Sequence, residues 1–427
     1  MVDRPRQRSG GSAGVSTTVG TPTSVFRTCR TAGASHDRPV AGGSTKIGCD
    51  LLEPRAARTA RPPLDLRGAR MSPDSSGAVL AGAQRNAQDY SALAAHVRDS
   101  GLLRRRYGYY WTRMIAVVLA FAGVWVLVVV VGDSWWQLAV AAALAVVLTQ
   151  VAFLGHDSAH RQIFESNAWN DWTARIFAGG FAGLSASWWR NKHNKHHSVP
   201  NQEGADPDIA PGVVAWTSDV VESRSGFRGW FGRNQGWFFF PLLTLEGMSL
   251  HISSVRALLA KGPVPNRKVD ATIVISRIVL YIAILLVLLP PGKAVAFFFV
   301  QMALFGVFLG GSFAPNHKGM PIIPAGMKVD FLRRQVLTSR NIRGGVAVDF
   351  AMGGLNYQVE HHLFPSMPRP NLKHVQPVVR EYCERLGVKY TEVGFFESYR
   401  IIVKYLNNVG LADRGAFDCP VAAQYGR

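Results

Sequence analysis

The sequence predicts an all-α integral membrane protein: four transmembrane helices in two hairpins, plus interfacial helices and a cytoplasmic cap carrying a dimetal site. Three observations predict this class. Hydrophobic residues make up 48% of the 427, and they gather in runs such as 119–132 and 138–155 that hold almost no charge. The runs come in pairs joined by tight turns. Seven of the twelve histidines fall in three short clusters outside the runs. A single soluble core is excluded, because such cores rarely grow past ~250–300 residues.

Residues 1–70 are rich in Gly, Ser, Thr, Pro and Arg and show no apolar periodicity. Their twelve Lys/Arg and five Asp/Glu give +7 of the formal +19, leaving +12 for the rest. No apolar core of about 7–15 residues follows the first charges, so a secretory signal is not expected. The segment reads as a disordered basic tail, or as sequence ahead of a start at Met71. Residues 71–113 read as a cytosolic segment, with an amphipathic helix over 86–98. Arg104-Arg105-Arg106, then Tyr107, Tyr109, Tyr110 and Trp111, read as an interfacial anchor.

Residues 114–400 form the expected membrane domain, and 401–427 a C-terminal tail. A span needs about 20 apolar residues. Segments 114–132 and 135–155 qualify and turn at Asp133-Ser134; 269–290 and 293–313 qualify and turn at Pro290-Pro291-Gly292. Arg277 interrupts the third span near its charged end and is expected to snorkel. Segments 174–189 and 236–252 are shorter and broken by Gly, Pro or Glu246, which suits interfacial or re-entrant helices. The hairpin turns carry one Lys and no Arg. The asymmetry puts both termini and the histidine clusters in the cytoplasm of a multi-pass plasma (inner) membrane protein. The basic charge then lies near anionic headgroups, so nucleic acid is not needed to explain it.

Four cysteines, Cys29, Cys49, Cys383 and Cys419, show no zinc-like spacing. The histidines are more informative. His156 and His160 are i, i+4 neighbours if the second span continues through them. His193, His196 and His197 converge on one helical face. His361 and His362 follow the fourth span. Imidazole is a common ligand for iron, zinc and copper. Seven such ligands exceed the four of a tetrahedral zinc or the six of an octahedral ion, which points to two metal ions. No HExxH motif occurs, which disfavours a zinc metalloprotease.

The strings HDSAH, HNKHH and QVEHH, with the spans between them, resemble the three histidine boxes of the integral-membrane fatty acid desaturase superfamily. The resemblance covers about residues 100–400 and extends to Trp188-Trp189-Arg190-Asn191-Lys192 and Gly353-Gly354-Leu355-Asn356-Tyr357. It implies a non-haem diiron enzyme that uses O2 and two electrons to remove two hydrogens from an acyl chain, leaving a cis double bond. The implied ligands and catalytic residues are His156, His160, His193, His196, His197, His361 and His362. His317 at the end of the last span is a further candidate ligand, or a polar cap at headgroup level. Gln358 replaces a frequent first histidine of the third box, as in front-end desaturases, and is expected to bind metal weakly, through water or not at all. Asp157, Asn316, Asn356, Gln358 and Glu360, with Asp206 and Asp208, are candidates to orient the imidazoles; Asp206-Pro207-Asp208 also reads as a plain turn.

The expected substrate is an acyl-CoA or a membrane lipid in the bilayer. The motif His-Pro-Gly-Gly of a fused cytochrome domain is absent, so a separate donor such as a ferredoxin with its reductase is expected. An Ala-, Gly-, Val- and Arg-rich composition suggests a GC-rich bacterium, and hence likeness to bacterial acyl-lipid or acyl-CoA desaturases. A lipid hydroxylase or carotenoid ketolase of the same superfamily is the near alternative. A membrane metal transporter is the distant one, disfavoured because the histidines lie outside the spans.

Overall fold

The computed structural model describes residues 88–410 except residue 263. The expected tail at 1–70, the possible start at Met71 and three of the four cysteines lie outside the described residues. A helix over 88–99 (α1) occupies the predicted amphipathic segment. Two long apolar helices follow, Tyr107–Val131 (α2) and Gln137–Ala159 (α3). Then come Asn167–Ala174 (α4), a π-helical turn at Arg175–Phe181, and Ala186–Ser198 (α5). Short helices Ser218–Glu222 (α6) and Gly226–Asn234 (α7) lead to Phe239–Leu259 (α8). The second hairpin is Arg267–Leu288 (α9) and Pro291–His317 (α10). The rest comprises Phe331–Leu337 (α11), strand Asn341–Arg343 (β1), Val346–Ala351 (α12), Gln358–Leu363 (α13), Arg369–Arg385 (α14), strand Glu392–Gly394 (β2) and Phe395–Gly410 (α15).

Helices α2, α3, α9 and α10 are long and apolar enough to cross a membrane. Their outward faces stay apolar, as Leu119, Val130, Val279 and Val287 show. Inward faces pack Val128, Leu144, Leu148, Tyr281, Leu285 and Phe305 into one core. Pro291 starts α10 at the first-turn position that tolerates a missing N–H. The two hairpin turns lie together: Lys293 pairs with Asp133 and sits 5.6 Å over the Trp135 ring. The histidines at the far ends of α3 and α10 therefore share the opposite end.

Several boundaries differ from expectation. Helix α2 begins at Tyr107, so the aromatic anchor belongs to the span itself. Segment 174–189 is not one helix; it divides into the π-helical turn and the start of α5. Segment 236–252 belongs to a 21-residue helix, bent 109° from α7. It packs backbone to backbone on α10, where a Cβ at Gly306 would stand 2.4 Å from the Leu243 carbonyl oxygen. Arg277 Nε donates at 2.8 Å to the carbonyl of Phe181, the last residue of the π-helical turn, and its guanidinium lies 4.5 Å over the Tyr281 ring. The boundary at 400/401 falls inside α15, whose Ile402 and Leu406 are buried against α8. A parallel pair of three-residue strands, β1 and β2, is the minor β element in this helical fold.

The cap has its own core. Leu93 and Val97 of α1 meet Leu332 and Val336 of α11, Val359 and Leu363 of α13, and Val375 and Val379 of α14. The third histidine cluster is thus mounted on a packed cap above the second and fourth spans.

Candidate metal centre

Each histidine sits where its helix makes it face inward. Helix α3 runs unbroken through the first cluster, so His156 and His160 stack one turn apart with ring centroids 4.7 Å apart. Ser185 caps α5 by accepting from Trp188 N at 3.2 Å. Asp270 fixes that start: one oxygen accepts from Arg175 Nε (3.1 Å), the other from Ser185 Oγ (2.8 Å) and Ser187 N (2.9 Å). Helix α5 then points His193, His196 and His197 inward, with Asn194 and Lys195 exposed outside. Before α13, Gly353 takes φ +60, and a Cβ there would stand 2.3 Å from Phe153. The turn brings His361 and His362 under the ends of the other two helices.

The outcome is two groups. His156, His160, His193 and His361 place ligand-capable atoms within 4.8 Å of one another, and so do His196, His317 and His362. His197 lies between them, stacked on His362 at 4.1 Å and edge-on to His160 at 4.5 Å. All seven box histidines and His317 are buried and brought together.

Outer partners hold the rings unevenly. His196 Nδ1 meets Asp206 at 2.9 Å, His317 Nδ1 donates to the Thr338 carbonyl at 3.0 Å, and His362 Nδ1 donates to Gln335 at 2.9 Å. Asp206 is also a turn former, accepting from Asn201 N and Asp208 N. Gln358 reaches His317 Nε2 at 2.8 Å and accepts from Asn316. Asp157 stands 3.4 Å from His156 Nδ1 and pairs with Arg369 at 2.6 Å. Three expected orienting residues make no hydrogen bond to an imidazole: Asn316 donates to Gln358 and the Ser312 carbonyl, Asn356 donates to Asp349, and Glu360 accepts from Asn341 and Tyr390. Glu360 points into the cap, where burial pushes its carboxyl up to about 7. The sequence reading missed Gln335, the Thr338 carbonyl and Asp270. Trp189, in a string that carries the resemblance, stacks on His193 at 4.2 Å.

The ring nitrogens fit a bound cation. Burial, then mutual repulsion, holds His193, His197, His361 and His362 well below the usual imidazole range. They are neutral, as metal ligands must be. His156 Nε2, His160 Nε2, His362 Nε2, and both nitrogens of His361 are buried without a hydrogen-bond partner. Each such orphan costs about 1–3 kcal/mol, which a bound metal ion offsets.

A cavity of about 350 Å³ opens beside the histidines. His156, His193, His196 and His317 form one wall; Leu243, Leu250, Leu309 and Phe313 belong to its apolar lining. Lys192, Asp208, Glu246, Lys318 and Gln358 add polar groups. Lys192 pairs with Asp208, and Arg190 pairs with Asp171 rather than facing outward unpaired.

Comparison with known proteins agrees with this geometry. The profile of the family described as fatty acid desaturase matches residues 133–394, more than half of the chain. The chain belongs to the fatty acid desaturase family. It is 29% identical over 336 residues to an acyl-lipid (9-3)-desaturase of Physcomitrium patens, covering 76% of this chain and 63% of that one. It is 26% identical over 344 residues to a Delta(8)-fatty-acid desaturase of Helianthus annuus, covering 77% and 74%. A Delta(6)-fatty-acid desaturase of Caenorhabditis elegans is 26% identical over 338 residues, with 75% of each chain covered. The chain therefore spans less than two thirds of the Physcomitrium desaturase and about three quarters of the other two.

Proposed function

We propose that this fatty acid desaturase is an O2-dependent oxidoreductase that introduces a cis double bond into an acyl chain carried by coenzyme A or a membrane lipid. The observation that carries the reading is the pairing of two inward-facing histidine groups with one apolar cavity. His156, His160, His193 and His361 would hold one iron, His196, His317 and His362 a second, with His197 between them. Two iron ions held there would supply the oxygen activation and redox capacity that removal of hydrogen from unactivated methylenes requires.

The chain's own residues perform the rest. Leu243, Leu250 and Leu309 bind the acyl chain and lay it along the His156–His193 wall. Trp189 and Phe313 pack against those rings and keep bulk water away from them. Asp206, Gln335 and the Thr338 carbonyl hold ring protons on the outward nitrogens, so the inward ones keep their lone pairs, that of His317 accepting from Gln358 Nε2 at 2.8 Å. Gln358 sets its amide nitrogen against His317 Nε2 and its oxygen against Asn316, so its contact with this group is a hydrogen bond and an oxygen ligand would require the amide to turn over. The Helianthus and Caenorhabditis relatives are named as Delta(8) and Delta(6) desaturases. Together with Gln358 they support insertion near the carboxyl end.

Electrons would come from a separate donor of the ferredoxin type. Lys195, exposed behind the ligands of α5, favours an acidic partner. The Lys/Arg asymmetry supports a multi-pass plasma membrane protein with the metal centre on the cytoplasmic side. Expression of residues 71–427 with a reductase–ferredoxin pair in a bacterial host tests the reading. Mass spectrometry with double-bond localisation is expected to find a new unsaturated acyl species that the His361→Ala variant lacks. A hydroxylated product instead would move the chain to the sister chemistry.

A further inference from the structure

Gln335 is a fully buried amide on α11 with two partners from two histidine clusters. Its Nε2 donates to the His197 carbonyl oxygen at 2.9 Å, and its Oε1 lies 2.9 Å from His362 Nδ1. Together these contacts leave one assignment of protons. A backbone carbonyl only accepts, so the amide nitrogen must face His197. The amide oxygen then faces His362, so His362 Nδ1 must carry the ring proton. The lone pair of that neutral ring therefore sits on Nε2, which is buried and without a partner.

We propose that Gln335 is a positioning residue that sets the tautomer of His362, its bond to the His197 carbonyl fixing which way the amide faces. The proposal rests on the reading that the histidines hold two irons. Helix α11 is placed for this task. Asp330 caps it, Leu332 and Val336 anchor it in the cap core, and Arg334 donates to the Ser198 carbonyl at the end of α5 at 3.0 Å. The Thr338 carbonyl, one residue past the helix, fixes His317 in the same tautomer. One short helix thus directs two of the three Nε2 atoms of one metal group, and Asp206 directs the third.

The test uses the full chain, purified with iron, and two variants: Gln335→Met, which has similar length and no acceptor, and Gln335→Glu, which still accepts from His362. Iron content and Mössbauer spectra are measured alongside turnover. Gln335→Met is expected to bind one of the two irons roughly 10–100-fold more weakly, with loss of one of two spectral environments. Gln335→Glu is expected to keep both irons. A Gln335→Met protein with two irons and an unchanged spectrum would overturn the proposal, as would a Gln335→Glu protein that loses as much iron as Gln335→Met. If Gln335→Met does not fold, the Gln335→Glu result decides alone. A wild-type protein without iron would overturn the diiron reading itself, a result distinct from two irons in both wild type and Gln335→Met.

Discussion

The two histidine groups use one ligand type but are held in different ways. In the group of His196, His317 and His362, every Nδ1 meets a fixed acceptor: Asp206, the Thr338 carbonyl or Gln335. In the group of His156, His160, His193 and His361, His156 reaches Asp157 only at 3.4 Å, and His361 has neither nitrogen bonded. Rings held from outside are ordered before metal arrives; rings that lean on one another are ordered by the metal. The three-histidine group, with fewer ligands and Gln358 beside it, depends more on these outer bonds. The four-histidine group depends more on ligand number.

The largest effect is expected from removing a ligand on either side. His361→Ala and His196→Ala should each abolish detectable product, but His196→Ala should reduce iron to about one per chain; equal iron content in the two variants would blur the distinction. Next is Asp270→Ala. It frees the start of α5, which supplies both groups, and leaves the buried Arg175 without its partner. Breaking such a pair costs about 3–5 kcal/mol. Thermal unfolding should show the loss, and both irons should weaken together. Asp206→Asn should lower affinity at the three-histidine group by roughly 10–100-fold. Asp157→Asn should cost less at the other group, since its contact with His156 is longer; iron titration of the two variants compares them directly. The smallest effect on the balance between the two groups is expected from Gly353→Ala. The substitution lies outside α13, but its Cβ would press to 2.3 Å on the buried Phe153 ring, in addition to a left-handed backbone that alone costs about 1–3 kcal/mol. It should lower thermal stability and leave the ratio of the two iron affinities unchanged.

Much of this was legible in the sequence because the signals are local. Apolar runs mark all four spans, three of them to within four residues at each end and α2 except for the seven residues from Tyr107 that precede the expected start, and i, i+3, i+4 spacing marks the inward faces of α3 and α5. His317 was a candidate because the family that the histidine boxes resemble usually carries a further histidine near the end of the last span, and the structure places it beside His196 and His362. The outer partners were harder to read. Asp206 lies ten residues from His196 and was a candidate, whereas Gln335 and Thr338 reach histidines through cap packing that no periodicity encodes. Asn356 and Glu360 stand beside the third box in sequence, but the turn at Gly353-Gly354 and the α13 axis aim them away from the rings. The cavity likewise arises from α3, α8 and α10 together, and Gly306 permits that approach only in three dimensions.

Stepwise iron loading of the metal-free full chain, followed by Mössbauer spectroscopy at each addition, tests the central claim most directly. Two irons per chain are predicted, in two unequal nitrogen-rich environments, with the group of His196, His317 and His362 filling first and the order lost in Asp206→Asn. A single iron per chain, or two equivalent irons filling together, would contradict the account.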